Sequence, residues 1–125
     1  MRKALLDEGV PRGLAQALRD RGLPATAFPN EWKQLSDRDL LDRAEAEGYD
    51  LLITNDKNLP FQQPVAGHRL SILVLASADR RLIGATADAI SRIVTALLPA
   101  RAFLLERDGR LIADFGSSPP APRAS

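Results

Sequence analysis

The apolar residues of this chain fall into short, unbroken runs, and this narrows its fold more than any other feature. Ala4-Leu5-Leu6, Ala25 to Phe28, Leu51-Leu52-Ile53 and Ile72-Leu73-Val74-Leu75 are each bounded by turn signals. A strand with one wet face alternates apolar and polar residues; a strand covered on both faces reads as continuous. The runs therefore predict a parallel sheet with helices on both sides.

Helical patterns lie between the runs. Pro11 suits a first turn, where its missing N–H costs nothing. Leu14, Ala17 and Leu18 share a face beyond it, and Gly22 is the stop. A second helix starts at Ser36, carries Leu40, Leu41 and Ala44, and stops at Gly48. A third shows Ile83, Ala87, Ile90, Val94 and Leu97 at alternating four- and three-residue spacing, one apolar face, ended by Pro99. The stretch from strand three to strand four reads as a loop. Ala102 to Leu105 and Leu111 to Ala113 flank Arg107-Asp108-Gly109-Arg110, a hairpin signal. The order predicts a three-layer α/β/α domain over residues 1–115, with a mainly parallel central sheet and a C-terminal hairpin. Residues 116–125 (GSSPPAPRAS) read as a disordered tail by composition.

A length of 125 residues fits one such domain. With no cysteine and one histidine, thiolate and histidine-rich metal sites are excluded, so a bound cation would take oxygen ligands. Seventeen Lys and Arg against sixteen Asp and Glu leave a net charge of +1. A nucleic-acid contact would therefore need a local patch. The start, MRKALLDEGVP, is too polar for a signal peptide, and no apolar run approaches a membrane span. A cytoplasmic location is expected.

Sites in open parallel sheets form outside the carboxyl ends of the strands. Asp7 and Glu8 follow strand one, and Asp56 follows strand three. Asp37 opens the helix leading into strand three, so it too can reach that edge. Clustered carboxylates repel one another unless a cation offsets them, and Mg²⁺ or Mn²⁺ suits such a cluster. A metal held there can lower the pKa of a water and stabilise charge on a phosphodiester. Asp7, Asp37 and Asp56 are the candidate catalytic and metal-binding residues. Glu8, Arg12, Asn55, Lys57 and Gln62 are candidate substrate contacts, and Arg38 and Arg69 could also border the site and hold phosphates.

Each residue has a plainer reading beside this one. Ser36-x-x-Asp39 is a capping box, which puts Asp37 at the first helical position, where a carboxylate favours the helix dipole. Thr54-Asn55-Asp56-Lys57-Asn58 is a natural turn composition. Asp7 can be a turn residue, Glu8 a solvated neighbour, and the basic residues ordinary surface groups. Gln62 and Gln63 can bond phosphate or the local backbone. His68 reads as a surface loop residue, and Trp32 as packing under the loop before helix two.

Several of these motifs, in this order, resemble the PIN-like domain family. Ala4-Leu5-Leu6-Asp7-Glu8-Gly9-Val10-Pro11-Arg12, with Leu14 and Leu18, is similar to the opening of PIN-like proteins grouped near toxin–antitoxin ribonucleases. Ser36-Asp37-Arg38-Asp39-Leu40-Leu41 and Tyr49-Asp50-Leu51-Leu52-Ile53-Thr54-Asn55-Asp56-Lys57-Asn58-Leu59 resemble the later half of the signature. Gln62-Gln63 and the Leu70–Leu75 run are also similar, so the likeness spans about residues 3 to 76. The resemblance implies a PIN-like fold, Mg²⁺ or Mn²⁺, and cleavage of single-stranded RNA by Asp7, Asp37 and Asp56. It also implies a toxin role beside a small antitoxin protein, and a homodimer. The sequence departs from the pattern in two places. Glu31 is the sole acid between Phe28 and Ser36, and the turn ends Asn58-Leu59 where the family has Asp-Phe.

Two rival readings stay open. One is a PIN-like scaffold that binds but does not cleave, which the thin acid set favours. The other is a receiver-like phosphoacceptor domain, with Asp7-Glu8 as acid pair, Asp56 as acceptor and Ser77 as hydroxyl. Against the second, Glu106-Arg107 stands where a Lys is needed, and a hairpin follows in place of a final helix.

Overall fold

The computed structural model describes residues 2–63, 65, 67–77 and 79–116. Six strands form one sheet: β1 (Ala4–Leu6), β2 (Ala25–Thr26), β3 (Leu51–Thr54), β4 (Ser71–Leu75), β5 (Ala102–Leu105) and β6 (Leu111–Ala113). Their order is β2-β1-β3-β4-β5-β6. The first five run parallel, and β6 returns antiparallel to β5 through the expected hairpin.

Four helices cover the sheet: α1 (Gly13–Asp20), α2 (Asp37–Ala46), α3 (Leu59–Gln62) and α4 (Ile83–Ile93). Strand residues point alternately to opposite faces, and the core divides on that rule. Ala4, Leu6, Ile53, Leu73 and Phe103 pack with Leu14 and Leu18 of α1 and Ala87 and Ile90 of α4. Leu5, Leu52, Ile72 and Val74 pack with Leu40, Leu41 and Ala44 of α2 and Leu59 of α3. The three-layer α/β/α architecture and the mainly parallel sheet are as the apolar runs predict.

Helix α2 starts as its signals require. Ser36 is extended, and its hydroxyl accepts from the Asp39 N–H at 3.1 Å. After the helix, Gly48 takes a φ of +89° that an L side chain would resist.

Several expectations need correction. Strand two stops at Thr26, pairing with β1 only at Ala25 and Thr26. The connection from β3 to β4 contains the short helix α3, with Pro60 in its first turn. Helix α4 tightens to a 3₁₀ turn at Val94–Ala96, so Leu97 is buried from an extended backbone. His68 is not a surface residue: its side chain is 18% exposed and Nδ1 lies 3.4 Å from Glu45 Oε1. Trp32 is buried as expected, edge-on to Tyr49. The expected tail lies outside the described residues from 117 onward. Gly116 is described, and it sits tightly against Pro60.

Candidate acidic site

The chain leaves β1 through α1 to place β2 on one side, then crosses through α2 to place β3 on the other. The strand order reverses there, which makes a switch point between β1 and β3, and open α/β sheets place their ligand crevice at the carboxyl edge of such a point. Asp7 leaves β1 on one side of it. Its backbone N–H still donates to Ile53 O at 2.8 Å, which fixes the start of the loop against β3.

One hydroxyl joins the two loops. Thr54 ends β3 fully buried, and its Oγ1 donates to Asp7 Oδ2 at 2.7 Å. The same oxygen accepts from the Asp56 backbone N–H at 3.0 Å. The other Asp7 oxygen, Oδ1, accepts from the Glu8 N–H at 2.8 Å. Asp56 Oδ1 accepts from the Asn58 N–H at 2.9 Å, closing an Asx turn that holds the loop away from the strand. Asn55 donates its amide to Gly9 O at 3.0 Å. A Cβ on Gly9 would lie 2.7 Å from Asn55 Oδ1, so the loops approach more closely than any side chain at position 9 would permit. Asn55, a candidate substrate contact, uses its amide to latch the loops together.

Asp37 completes the group from the first position of α2. Desolvation, then the negative charges of Asp7 and Asp56, hold its carboxyl above the ordinary carboxylate value of 3.8. All three predicted acids thus lie within electrostatic reach of one another. Their donor chemistry suits a hard divalent cation. Among the described residues, however, no three His, Cys, Asp or Glu side chains stand close enough to form a ready ligand set. Glu31 sits exposed in the 3₁₀ turn Asn30–Trp32 and is not among the charges that act on Asp37.

Beside the acids lies a groove of about 500 Å³ lined by Glu8, Val10, Arg12, Phe28, Asn30 and Lys33. Arg12 Nη1 donates to Phe28 O at 3.2 Å, and Lys33 Nζ lies 3.9 Å from Glu8 Oε2. Two of the predicted contacts, Glu8 and Arg12, therefore share one surface, with Lys33 added. Lys57 is exposed on the Asp56 loop. Gln62 is exposed at the far end of α3, and Arg38 is exposed in the first turn of α2.

Arg69 does not border this site. It precedes β4, so the chain direction carries it to the amino edge of the sheet, where it shares a cavity with Arg2 and Arg21. Thr54 had no assigned role in the sequence. Its signal was a single hydroxyl closing an otherwise apolar strand.

No family model, curated protein or solved structure matches this chain. The functional reading therefore rests on the geometry of the crevice.

Proposed function

We propose that the crevice hydrolyses phosphodiester bonds of single-stranded RNA with Mg²⁺ or Mn²⁺, in the manner of the PIN-like domains that the motifs resemble. The observation that carries this reading is the Thr54 hydroxyl, bonded at once to the Asp7 carboxylate and to the backbone of Asp56 at the point where the strand order reverses. It ties two acids from separate strands to one buried atom, so their relative position is fixed before any ligand arrives. Asp7 and Asp56 would hold the cation, with Asp37 at its margin and waters filling the remaining positions, as Mg²⁺ commonly accepts. When bound, such a cation lowers the pKa of a water and stabilises charge on the phosphoryl oxygens. The protein's own part is to hold the carboxylates in place. Arg12 and Lys33 in the adjoining groove would receive backbone phosphates and align the strand.

The same reading extends to a toxin held in check by a small antitoxin protein covering the crevice, and to a homodimer. The test is incubation of the purified protein with end-labelled single-stranded RNA and either metal. Cleavage that stops with chelator and in Asp7→Asn is expected. Absence of cleavage with both metals removes the nuclease. Saturable Mn²⁺ binding without cleavage would then leave the binding scaffold.

A second reading is favoured by the strand order. The five parallel strands follow 2-1-3-4-5, the order of the flavodoxin-like folds, to which receiver domains also belong. Asp56 would then be a phosphoacceptor. Labelling of the protein by a small phosphodonor, lost in Asp56→Asn, would favour this reading over hydrolysis.

A further inference from the structure

A cavity of about 530 Å³ lies at the opposite edge of the sheet from the acids. It is built from segments that precede strands and follow helices. Arg2 stands before β1, Asp50 before β3 and Arg69 before β4. Arg21 follows α1, while Ser91 to Leu97 bring the end of α4.

Three guanidiniums therefore face one space against a single lining carboxylate, Asp50. Two of them have protein partners. Arg2 Nη1 donates to Asp50 O at 3.1 Å, and Arg21 Nε pairs with Asp88 Oδ1 at 2.7 Å. The carbonyl ends of α1 and α4 also face this edge and favour cations, so some positive charge is explained by the fold alone. Arg69 is different. Its backbone N–H is held by Glu45, but its guanidinium has no hydrogen bond or ion pair among the described residues. Arg69 thus presents a planar donor fork, the geometry that grips a phosphate or carboxylate with two bonds.

The rest of the lining adds shape. Val94 and Pro99 give the cavity an apolar side, backed by the buried Leu23 and Leu97, with Thr95 exposed. Ser91, also in the lining, has an Oγ sealed from solvent without any partner among the described residues. Such an atom normally finds a bond. A few convergent polar groups on a mainly apolar wall, at this volume, are the marks of a small-molecule pocket.

We propose that this cavity binds a phosphorylated small molecule with a flat apolar body, of the nucleoside monophosphate class. Arg69 and its neighbours Arg2 and Arg21 receive the phosphate, and the base lies against Val94 and Pro99. The proposal is independent of the chemistry at the acidic edge.

Calorimetric titration with AMP, adenosine and inorganic phosphate tests it on the full chain. Saturable AMP binding is expected, with adenosine and phosphate each weaker by about tenfold or more. Arg69→Ala should weaken AMP by about tenfold, the loss of one charge-assisted bond pair. Thr95→Trp, at an exposed position, should obstruct the pocket with no change in circular dichroism. No saturable AMP binding up to about 10 mM would overturn the proposal. So would adenosine or phosphate binding as tightly as AMP, or AMP affinity unchanged in both variants. AMP binding lost in Asp7→Asn and kept in Arg69→Ala would also overturn it, because the ligand would then sit at the acidic edge.

Discussion

At the carboxyl edge of the sheet the loops gather carboxylates, and at the amino edge, about 15 Å away along a strand, they gather guanidiniums. Both collections are made by the same parallel strands. A residue just after a strand goes to one edge, and a residue just before a strand goes to the other. Asp7, Asp56 and the α2 start are of the first kind, while Arg2 and Arg69 are of the second. A chain of net charge +1 therefore holds two oppositely charged places without either appearing in its composition. Internal wiring separates them further. The acidic edge is joined loop to loop through Thr54 and Asn55. The basic edge is pinned from α2, where Glu45 accepts the N–H groups of Arg69 and Leu70 and lies against His68.

The largest expected difference between the edges is in catalysis. Asp7→Asn should lower RNA cleavage on the order of 10² to 10⁴-fold, the scale of losing one group that handles a proton or charge in the transition state. Arg69→Ala should leave the cleavage rate unchanged. Equal losses in both variants would join the two edges into one site. Thr54→Val comes next. It removes a buried hydroxyl with two partners, at a cost of about 1–3 kcal/mol in urea unfolding. Cleavage should fall as well, because Asp7 and Asp56 lose their common anchor. Undiminished cleavage would mean that the loops hold the acids without it.

Glu45→Gln probes the other edge at a similar energy. The carboxylate gives up water on burial, which raises its pKa, but the Arg69 and Leu70 N–H groups and His68 outweigh that and hold it below the ordinary value of 4.5. A depressed native pKa means that the stabilisation is present above pH 4.5 and is lost as pH falls through the native value. The variant should be less stable by about 1–3 kcal/mol at neutral pH. Its deficit should shrink in acid, while RNA cleavage at neutral pH should match that of the unaltered chain.

The smallest effect has the opposite sign. Asp37 is held above 3.8 by desolvation and by its two acidic neighbours, so the native state takes up its proton more readily than the unfolded chain. Its ionisation therefore costs stability as pH rises through the native value. Asp37→Asn should raise Tm slightly at neutral pH and lose that advantage below the ordinary carboxylate value. Saturating Mn²⁺ should reduce the advantage too, since a cation offsets the same repulsion. A lower Tm at neutral pH would show that helix capping outweighs the charge cluster at this position.

Much of this frame can be read in the chain. Unbroken apolar runs gave away strands covered on both faces, and the hydroxyl of Ser36 with Gly48 bracketed α2. Asp7 and Asp56 could be placed because a residue after a parallel strand has one edge to go to. The same rule, applied to Arg69, puts it at the other edge, because it precedes its strand. What stayed hidden needed distance information. A four-residue helix such as α3 is too short to show a period, and β2 pairs with β1 over only two residues. The hydrogen bonds that join Thr54 to Asp7 and Asn55 to Gly9 link residues 47 and 46 apart in sequence.

The α2 face of the sheet is finished by residues far along the chain. Between β3 and β4 the short helix α3 covers it together with Val65 and Leu70, and Phe115 packs beside them, meeting Phe61 edge-on at 5.5 Å while its N–H donates to Ala102 O at 2.9 Å. During synthesis, then, α1 and α2 can leave the ribosome with β1 to β3 already adjacent, yet this face lacks its last apolar residue until Phe115 emerges. Until Phe115 has emerged, that part of the nascent sheet stays open to chaperones and proteases.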